Sequence, residues 1–268
     1  MTAPPPRISL VVSAYQRDDF LDRVFVSLRD QTFRDFEVIV ADDGSGAAMR
    51  AMIERWQGHF AHPIQHEWHE DNGFRKTIIV NRAVARARAD YFVFIDGDCI
   101  LHHRFLERHF KRRRKGRVLS GRRVMMDREL TERVTLEDIR SRQIERVSFW
   151  WKHAGKNDRR NGFYAPWAWG LRNFRRDDYQ ILGCNFSLHR NDFYRVNGYD
   201  ERIVGRGLED NNLRARLLNS GIVVKNLTHE ALEYHCFHDS EPIPHDESFI
   251  EQFRESGETA TPFGINKE

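Results

Sequence analysis

Two apolar rhythms alternate along the first hundred residues. Ile8–Ala14 is a short β-branched run of the kind that is buried on both faces of a sheet. Leu21, Val24, Phe25 and Leu28 then fall at helical spacing behind Asp18 and Asp19, acidic residues suited to a helix start. Residues 36–41 predict a second strand, stopping at Asp42-Asp43-Gly44-Ser45. The pattern recurs with a helical segment over 47–56, a loop ending at Asn72-Gly73, and Ile78, Val80, Ala83, Val84 and Ala87 in the next segment. A strand over 91–95 runs straight into Asp96-Gly97-Asp98. This alternation predicts an α/β fold, a mostly parallel central sheet flanked by helices, with polar residues at the strand ends where such sheets bind ligands.

Beyond Arg104 the rhythm weakens. Residues 105–110 predict a helix, a basic stretch follows, residues 136–151 look helical, and a loop rich in Trp, Gly and Asn runs through Gly170. Order returns with a strand over 183–188 and a helix beginning near Glu209-Asp210, whose Leu213, Leu217 and Leu218 form an apolar stripe. The polar tail after Pro242 is expected to be loosely held. We read one catalytic domain over 1–268: a nucleotide-binding half (8–106), a variable basic and aromatic segment (107–182), an acceptor or catalytic half (183–240), and the tail (241–268).

Composition narrows the function class. The 268 residues carry 43 Lys and Arg against 40 Asp and Glu, a formal charge of +3 that makes no demand for nucleic acid. The local distribution is more informative, since nine cations and no carboxylate lie between Arg108 and Arg123. That stretch is either a solvated face or a field for phosphates and an anionic membrane surface. The three cysteines, Cys99, Cys184 and Cys236, are widely spaced, as expected of reduced thiols in a cytoplasmic protein. The Pro-rich lead has no signal-peptide core, and no apolar run is long enough to span a bilayer, so the expectation is a soluble chain, at most peripheral on a membrane.

Several carboxylates carry candidate chemistry. Asp96 and Asp98 at the end of an apolar strand would point alike in extended backbone and would need a cation such as Mg²⁺ or Mn²⁺, which also bridges a diphosphate. Asp42 reads either as a turn residue or as an acceptor for a base imide or a ribose hydroxyl. Asn72-Gly73 reads as a turn, but Arg75 and Lys76 stand at a helix start, where cations are disfavoured unless an anion is near. Glu209 and Asp210 are either ordinary helix-start acids or a general base beside an acceptor hydroxyl. His235 and His238 are either partly buried histidines or a metal's remaining ligands.

Taken in order, Val-Val-Ser-Ala-Tyr, Val-Ile-Val-Ala-Asp-Asp-Gly-Ser, Asn-Gly-Phe-Arg-Lys, Phe-Ile-Asp-Gly-Asp-Cys, Gly-Leu-Glu-Asp-Asn and Tyr-His-Cys-Phe-His resemble the inverting family 2 glycosyltransferases. The likeness is to their bacterial branch related to galactosyltransferase and chondroitin-polymerase domains, and it covers residues 8–106 and 183–238. It implies the Rossmann-like GT-A fold of nucleotide-diphospho-sugar transferases and a uridine-diphosphate (UDP) sugar donor. By the same resemblance Ala14, Tyr15 and Asp42 lie at the uridine with Asn72, Gly73, Arg75 and Lys76 beside it, and Asp96 and Gly97 lie at the ribose or metal. Asp98 becomes the principal ligand of a divalent metal, with His235 the favoured histidine ligand and His238 close behind. Asp210, beside Glu209, becomes the base in a single inverting displacement. The acceptor is expected to be a saccharide or lipid-linked saccharide of bacterial surface polysaccharide or lipopolysaccharide. Where relatives carry Trp-Gly before the acidic pair, this chain has Gly205-Arg206-Gly207-Leu208.

Two other readings compete. A sugar-phosphate nucleotidylyltransferase would carry a Gly-rich N-terminal loop, whereas residues 13–17 are Ser-Ala-Tyr-Gln-Arg. A non-catalytic basic module for nucleic acid or lipid would interleave aromatics with its cations, and Phe110 is the only aromatic between Arg108 and Arg123. The Trp167-Ala168-Trp169-Gly170 run could stack on sugar rings or pack in the core.

Overall fold

The computed structural model describes residues 4–153, 162–174, 176–239, 253 and 255–267. Its first half alternates as the apolar rhythm predicts: β1 (Ile8–Ala14), α1 (Asp18–Arg29), β2 (Phe36–Asp42), α2 (Ala47–Arg55), β3 (Gln65–Trp68), α3 (Lys76–Arg86) and β4 (Tyr91–Asp96). Next come β5 (Cys99–Leu101), α4 (Phe105–Arg112), β6 (Arg117–Ser120) and β7 (Arg122–Met125). Short helices α5 (Arg128–Arg133), α6 (Leu136–Arg140), α7 (Val147–Lys152) and α8 (Trp169–Asn173) follow. The chain then makes β8 (Asn185–His189), α9 (Arg190–Arg195), α10 (Glu209–Asn219), β9 (Val223–Asn226) and β10 (Leu232–His235).

The central sheet has the order β3-β2-β1-β4-β8-β6-β9, and β5-β10-β7 form a small second sheet. Side-chain alternation explains the layers. Leu10, Val12, Val38, Val40, Val93 and Ile95 face one apolar cluster with α1 and α2, while Val11, Ile39, Phe92 and Phe94 face another with α3, α9 and α10. Strands β3, β2, β1 and β4 run parallel, and β8 joins β4 antiparallel. Across that junction Phe94 stacks on Phe186 at 4.4 Å between ring centroids, a pair worth about 0.5–1.5 kcal/mol beyond its buried area.

Four expectations need correction. The loop before Asn72-Gly73 contains β3, whose sequence Gln-His-Glu-Trp has no apolar run to announce it. The helix expected over 136–151 is broken: Thr135 closes a capping box on α6, and Arg142 takes a left-handed φ of 58° before α7 begins. The basic stretch contains two strands, and its charge is partly spent within the fold. Arg108 is buried, and Arg112 pairs with Glu230 and lies over the Trp169 ring, leaving Lys111, Arg113, Arg114 and Lys115 exposed, Arg113 with its guanidinium on the Phe110 ring. In the tail, residues 255–267 are held rather than loose, because Thr261 is buried on Asp200 and Asn197 donates to the Thr261 and Asn266 carbonyls. The rest of the tail lies outside the described residues. Trp169 packs against the core, as the core reading of the aromatic run expects, while Trp167 is 77% exposed. Among the described residues no helix is long and apolar enough to cross a membrane.

Candidate active site

Register brings the strand ends together: Ala14 lies opposite Asp42 on β2, and Ser13 lies opposite Asp96 on β4. Asp42 is fully buried, its Oδ1 accepting from Ser45 N–H at 2.8 Å and its Oδ2 lying 2.8 Å from His66 Nε2. The turn reading of this motif is therefore physically true of Asp42. Gly44 completes the turn with φ of 101°, and a Cβ there would meet the Asp71 backbone at 2.5 Å, so glycine is required. Asp43 accepts from the Arg75 amide at 2.9 Å and contacts His69 Nε2 at 2.6 Å, which fixes the start of α3. On the rim, the Tyr15 hydroxyl donates to Asp71 at 3.0 Å, and Asn72 and Gly73 are exposed.

The two acids after β4 do not converge. Gly97 and Asp98 form a turn, so the alternation of extended backbone ends at Asp96 and the two carboxylates take different partners. Gly97 N–H donates to the Ser13 carbonyl at 2.7 Å, tying the turn to β1. Asp96 is bound by Lys76 Nζ at 2.6 Å. Burial opposes the charge of that lysine, but the carboxylates of Asp96, Asp210 and Glu209 outweigh it and raise the ammonium above its usual range. Arg75 instead turns its guanidinium onto the Glu70 carbonyl.

Asp98 faces two imidazoles, with His238 Nε2 at 3.0 Å and His235 Nε2 at 3.4 Å from the same carboxylate oxygen. These side chains can bring one ligand atom each within 4.8 Å of one another. Burial pushes the Asp98 carboxyl up, but the hydrogen bond from His238 and the charge of His235 overcome it and hold it down to about 2. His238 is raised by its Asp98 hydrogen bond, whereas burial lowers His235. Among the described residues the Nδ1 of His235 is buried without a hydrogen-bond partner. One carboxylate and two imidazoles aimed at one point suit a divalent cation, and the donor set fits Mn²⁺ better than Mg²⁺, which binds chiefly through oxygen and water.

A second acidic cluster sits where α10 begins. Asp210 Oδ2 accepts from Gly183 N–H at 2.7 Å, and Oδ1 from the Tyr199 hydroxyl at 3.0 Å. A Cβ at Gly183 would come within 2.7 Å of both Asp210 oxygens, so only glycine allows this approach. Glu209 is buried and accepts from Gly207 N–H at 2.6 Å. Burial first, and the neighbouring Glu209 second, raise the Asp210 carboxyl to about 7, against the opposing pull of Lys76. A carboxyl poised there can take a proton at neutral pH.

Of the residues singled out from sequence, the fold gathers Ala14, Asp42, Lys76, Asp96, Gly97, Asp98, Glu209, Asp210, His235 and His238 at one end of the sheet. Asn72 and Gly73 stay on its rim. Sequence reasoning passed over His66, His69, Gly183 and Tyr199, whose roles depend on contacts across 11 to 27 positions or on strand register. Asp43 was in view as part of a motif, but only its bond to the Arg75 amide assigns its task.

The pattern of glycosyl transferase family 2 matches residues 9–186, and that of the N-terminal domain of galactosyltransferase matches 165–239. Validoxylamine A glucosyltransferase of Streptomyces hygroscopicus subsp. limoneus is 26% identical over 247 residues, covering 82% of this chain and 50% of the relative. Chondroitin synthase of Escherichia coli is 23% identical over 245 residues, 85% of this chain and 34% of the relative. The chain thus spans half or less of the length of these relatives. Among solved structures, S. aureus TarS 1–349 in complex with UDP superposes with a TM-score of 0.58 at 15% identity, over 94% of this chain and 65% of that one. The mannosyltransferase PcManGT from Pyrobaculum calidifontis, in complex with GDP-Man and Mn²⁺, gives 0.58 at 14% identity, over 94% and 70%. At these identities the structural likeness is one of fold.

Proposed function

The chain belongs to glycosyl transferase family 2 and has the GT-A fold, and from that premise we propose that it moves a sugar from a UDP-sugar to an acceptor hydroxyl with inversion. The observation that carries this reading is the pair of acidic clusters at one end of the sheet, one facing two imidazoles and the other raised toward neutral pH. Asp210 takes the acceptor's hydroxyl proton as that oxygen attacks the anomeric carbon, and the bond from that carbon to the diphosphate breaks on the opposite face. Glu209 keeps Asp210 basic enough for the task. A divalent ion held by Asp98, His235 and His238, when bound, would supply the charge that steadies the departing diphosphate.

Ala14, Tyr15 and Asp42 would form the uridine end of the donor groove, Asp42 as its buried floor, with Asn72, Gly73 and Arg75 on the rim. Lys76 would hold Asp96 beside the ribose. The UDP complex of a structural neighbour supports the uridine nucleotide, and the GDP-Man and Mn²⁺ complex of another keeps the guanosine nucleotide as the competitor to test. Calorimetry with uridine and guanosine diphosphates, with Mn²⁺ and with chelator, decides. Selective, metal-dependent binding of UDP is expected, and no nucleotide binding in either condition overturns the donor site.

The acceptor is proposed to be a saccharide, free or lipid-linked, of a bacterial surface glycan. The exposed Lys111, Arg113, Arg114 and Lys115 would face an anionic membrane carrying it. Flotation with neutral and anionic vesicles at two salt concentrations tests this. Salt-sensitive binding to anionic vesicles alone is expected, and equal absence of binding to both removes the membrane from the proposal.

A further inference from the structure

Cys99, Cys184 and Glu233 meet next to the Asp98 centre, and they can bring one ligand atom each within 4.8 Å of one another. All three are buried, Cys99 and Glu233 at 0% exposure, and among the described residues the carboxyl of Glu233 has only the weak Cys184 thiol beside it and no hydrogen bond of ordinary geometry. Strand register explains the meeting. Glu233 and His235 lie two apart on β10 and so point to the same face of the small sheet, and His235 is the cross-strand partner of Cys99 on β5. Cys184 arrives from the loop that enters β8. Arg123, the partner of Glu233 across to β7, makes no hydrogen bond to that carboxylate.

A buried carboxyl whose polar neighbours are thiols, weak hydrogen-bond donors, is poorly satisfied and requires an explanation, because natural proteins pair nearly all such groups well. Two thiols and one carboxyl are donors for a borderline-soft cation rather than for a hard one. The geometry points to a second metal site in which Cys99, Cys184 and Glu233 hold Zn²⁺, distinct in chemistry from the nitrogen and oxygen donors of Asp98, His235 and His238. Binding releases the protons of the two thiols and of the Glu233 carboxyl to solvent and changes no oxidation state. The placement gives the ion a task. Cys99 follows Asp98, Glu233 lies two residues before His235, and Cys184 follows Gly183, whose amide holds Asp210. One ion therefore braces the three segments that carry the metal ligands and the base.

The site is independent of the glycosyl-transfer reading, so its test reads metal and sulfur rather than turnover. Full-length protein stripped with chelator is titrated with Co²⁺ and its near-ultraviolet absorption followed. A thiolate-to-cobalt charge-transfer band is expected, lost in Cys99→Ser and Cys184→Ser and kept in Cys236→Ser and His238→Ala. Elemental analysis of zinc-loaded His238→Ala, which disables the Asp98 centre, with and without the near-isosteric Glu233→Gln provides a second reading, with one tightly held Zn²⁺ per chain expected in the single variant and at least tenfold weaker retention in the double variant. Cobalt bound without that band in wild type overturns the site and leaves a cluster of neutral groups. A band that survives Cys184→Ser or disappears in Cys236→Ser overturns it too.

Discussion

Each of the two clusters at the end of the sheet is centred on an aspartate, and the two aspartates are tuned in opposite directions. Asp98 faces imidazoles and is held down to about 2, so at neutral pH it is an anion ready for a cation. Asp210 faces Glu209 and is raised to about 7, so it can hold or release a proton under the same conditions. Both carboxylates lie in largely desolvated surroundings, which push both upward, so burial alone cannot separate them. The neighbours separate them, in the directions that the proposed charge neutralisation at Asp98 and proton transfer at Asp210 require. Lys76 stands between the two roles, since its ammonium binds Asp96 and its field lowers Asp210.

This contrast breaks most sharply at the base. Asp210→Asn should lower kcat by about 10²–10⁴-fold, the usual range for a general base, while calorimetric UDP affinity stays nearly intact. A parallel loss of both would show that the two clusters are one functional unit. On the other side, Asp98→Ala should remove metal-dependent donor binding, and His238→Ala should weaken metal affinity by about 10–100-fold or more, since even groups that only orient metal ligands are worth that much. Mn²⁺ titration of donor binding measures both.

A smaller effect sharpens the tuning argument. A base works above its own pKa, so kcat/KM should rise as pH increases through about 7, the value to which burial and Glu209 bring Asp210. Lys76→Met removes the cation that opposes this rise and should move the acid limb upward by about 1–3 units. An acid limb that stays in place would mean that Asp210 is not the group titrating. The mildest change is Tyr199→Phe, which deletes one hydrogen bond to Asp210 and should cost about 2–10-fold in kcat, with little change in nucleotide affinity.

The first half of the fold was legible because β1, β2 and β4 are predominantly apolar, β-branched or aromatic runs and the helices between them carry clear stripes. The middle segment was not, because its strands are only four residues long and rich in arginine, and its helices are cut short by caps and turns. The motif residues were legible as candidates. Their grouping was less so: Asp96 and Asp98 read as a converging pair, but the Gly97-Asp98 turn sends them to separate partners.

By itself the sequence determined the parallel strand core, the acidic residues at its ends and the family, since these reside in local periodicity and in short ordered motifs. Only the tertiary structure shows the surroundings that hold one carboxyl down and raise the other, which support the cation and proton roles proposed for Asp98 and Asp210. A carboxyl group's charge state depends on what surrounds it in space, and His238, Glu209 and Gly183 reach their partners through register and packing that no local pattern records.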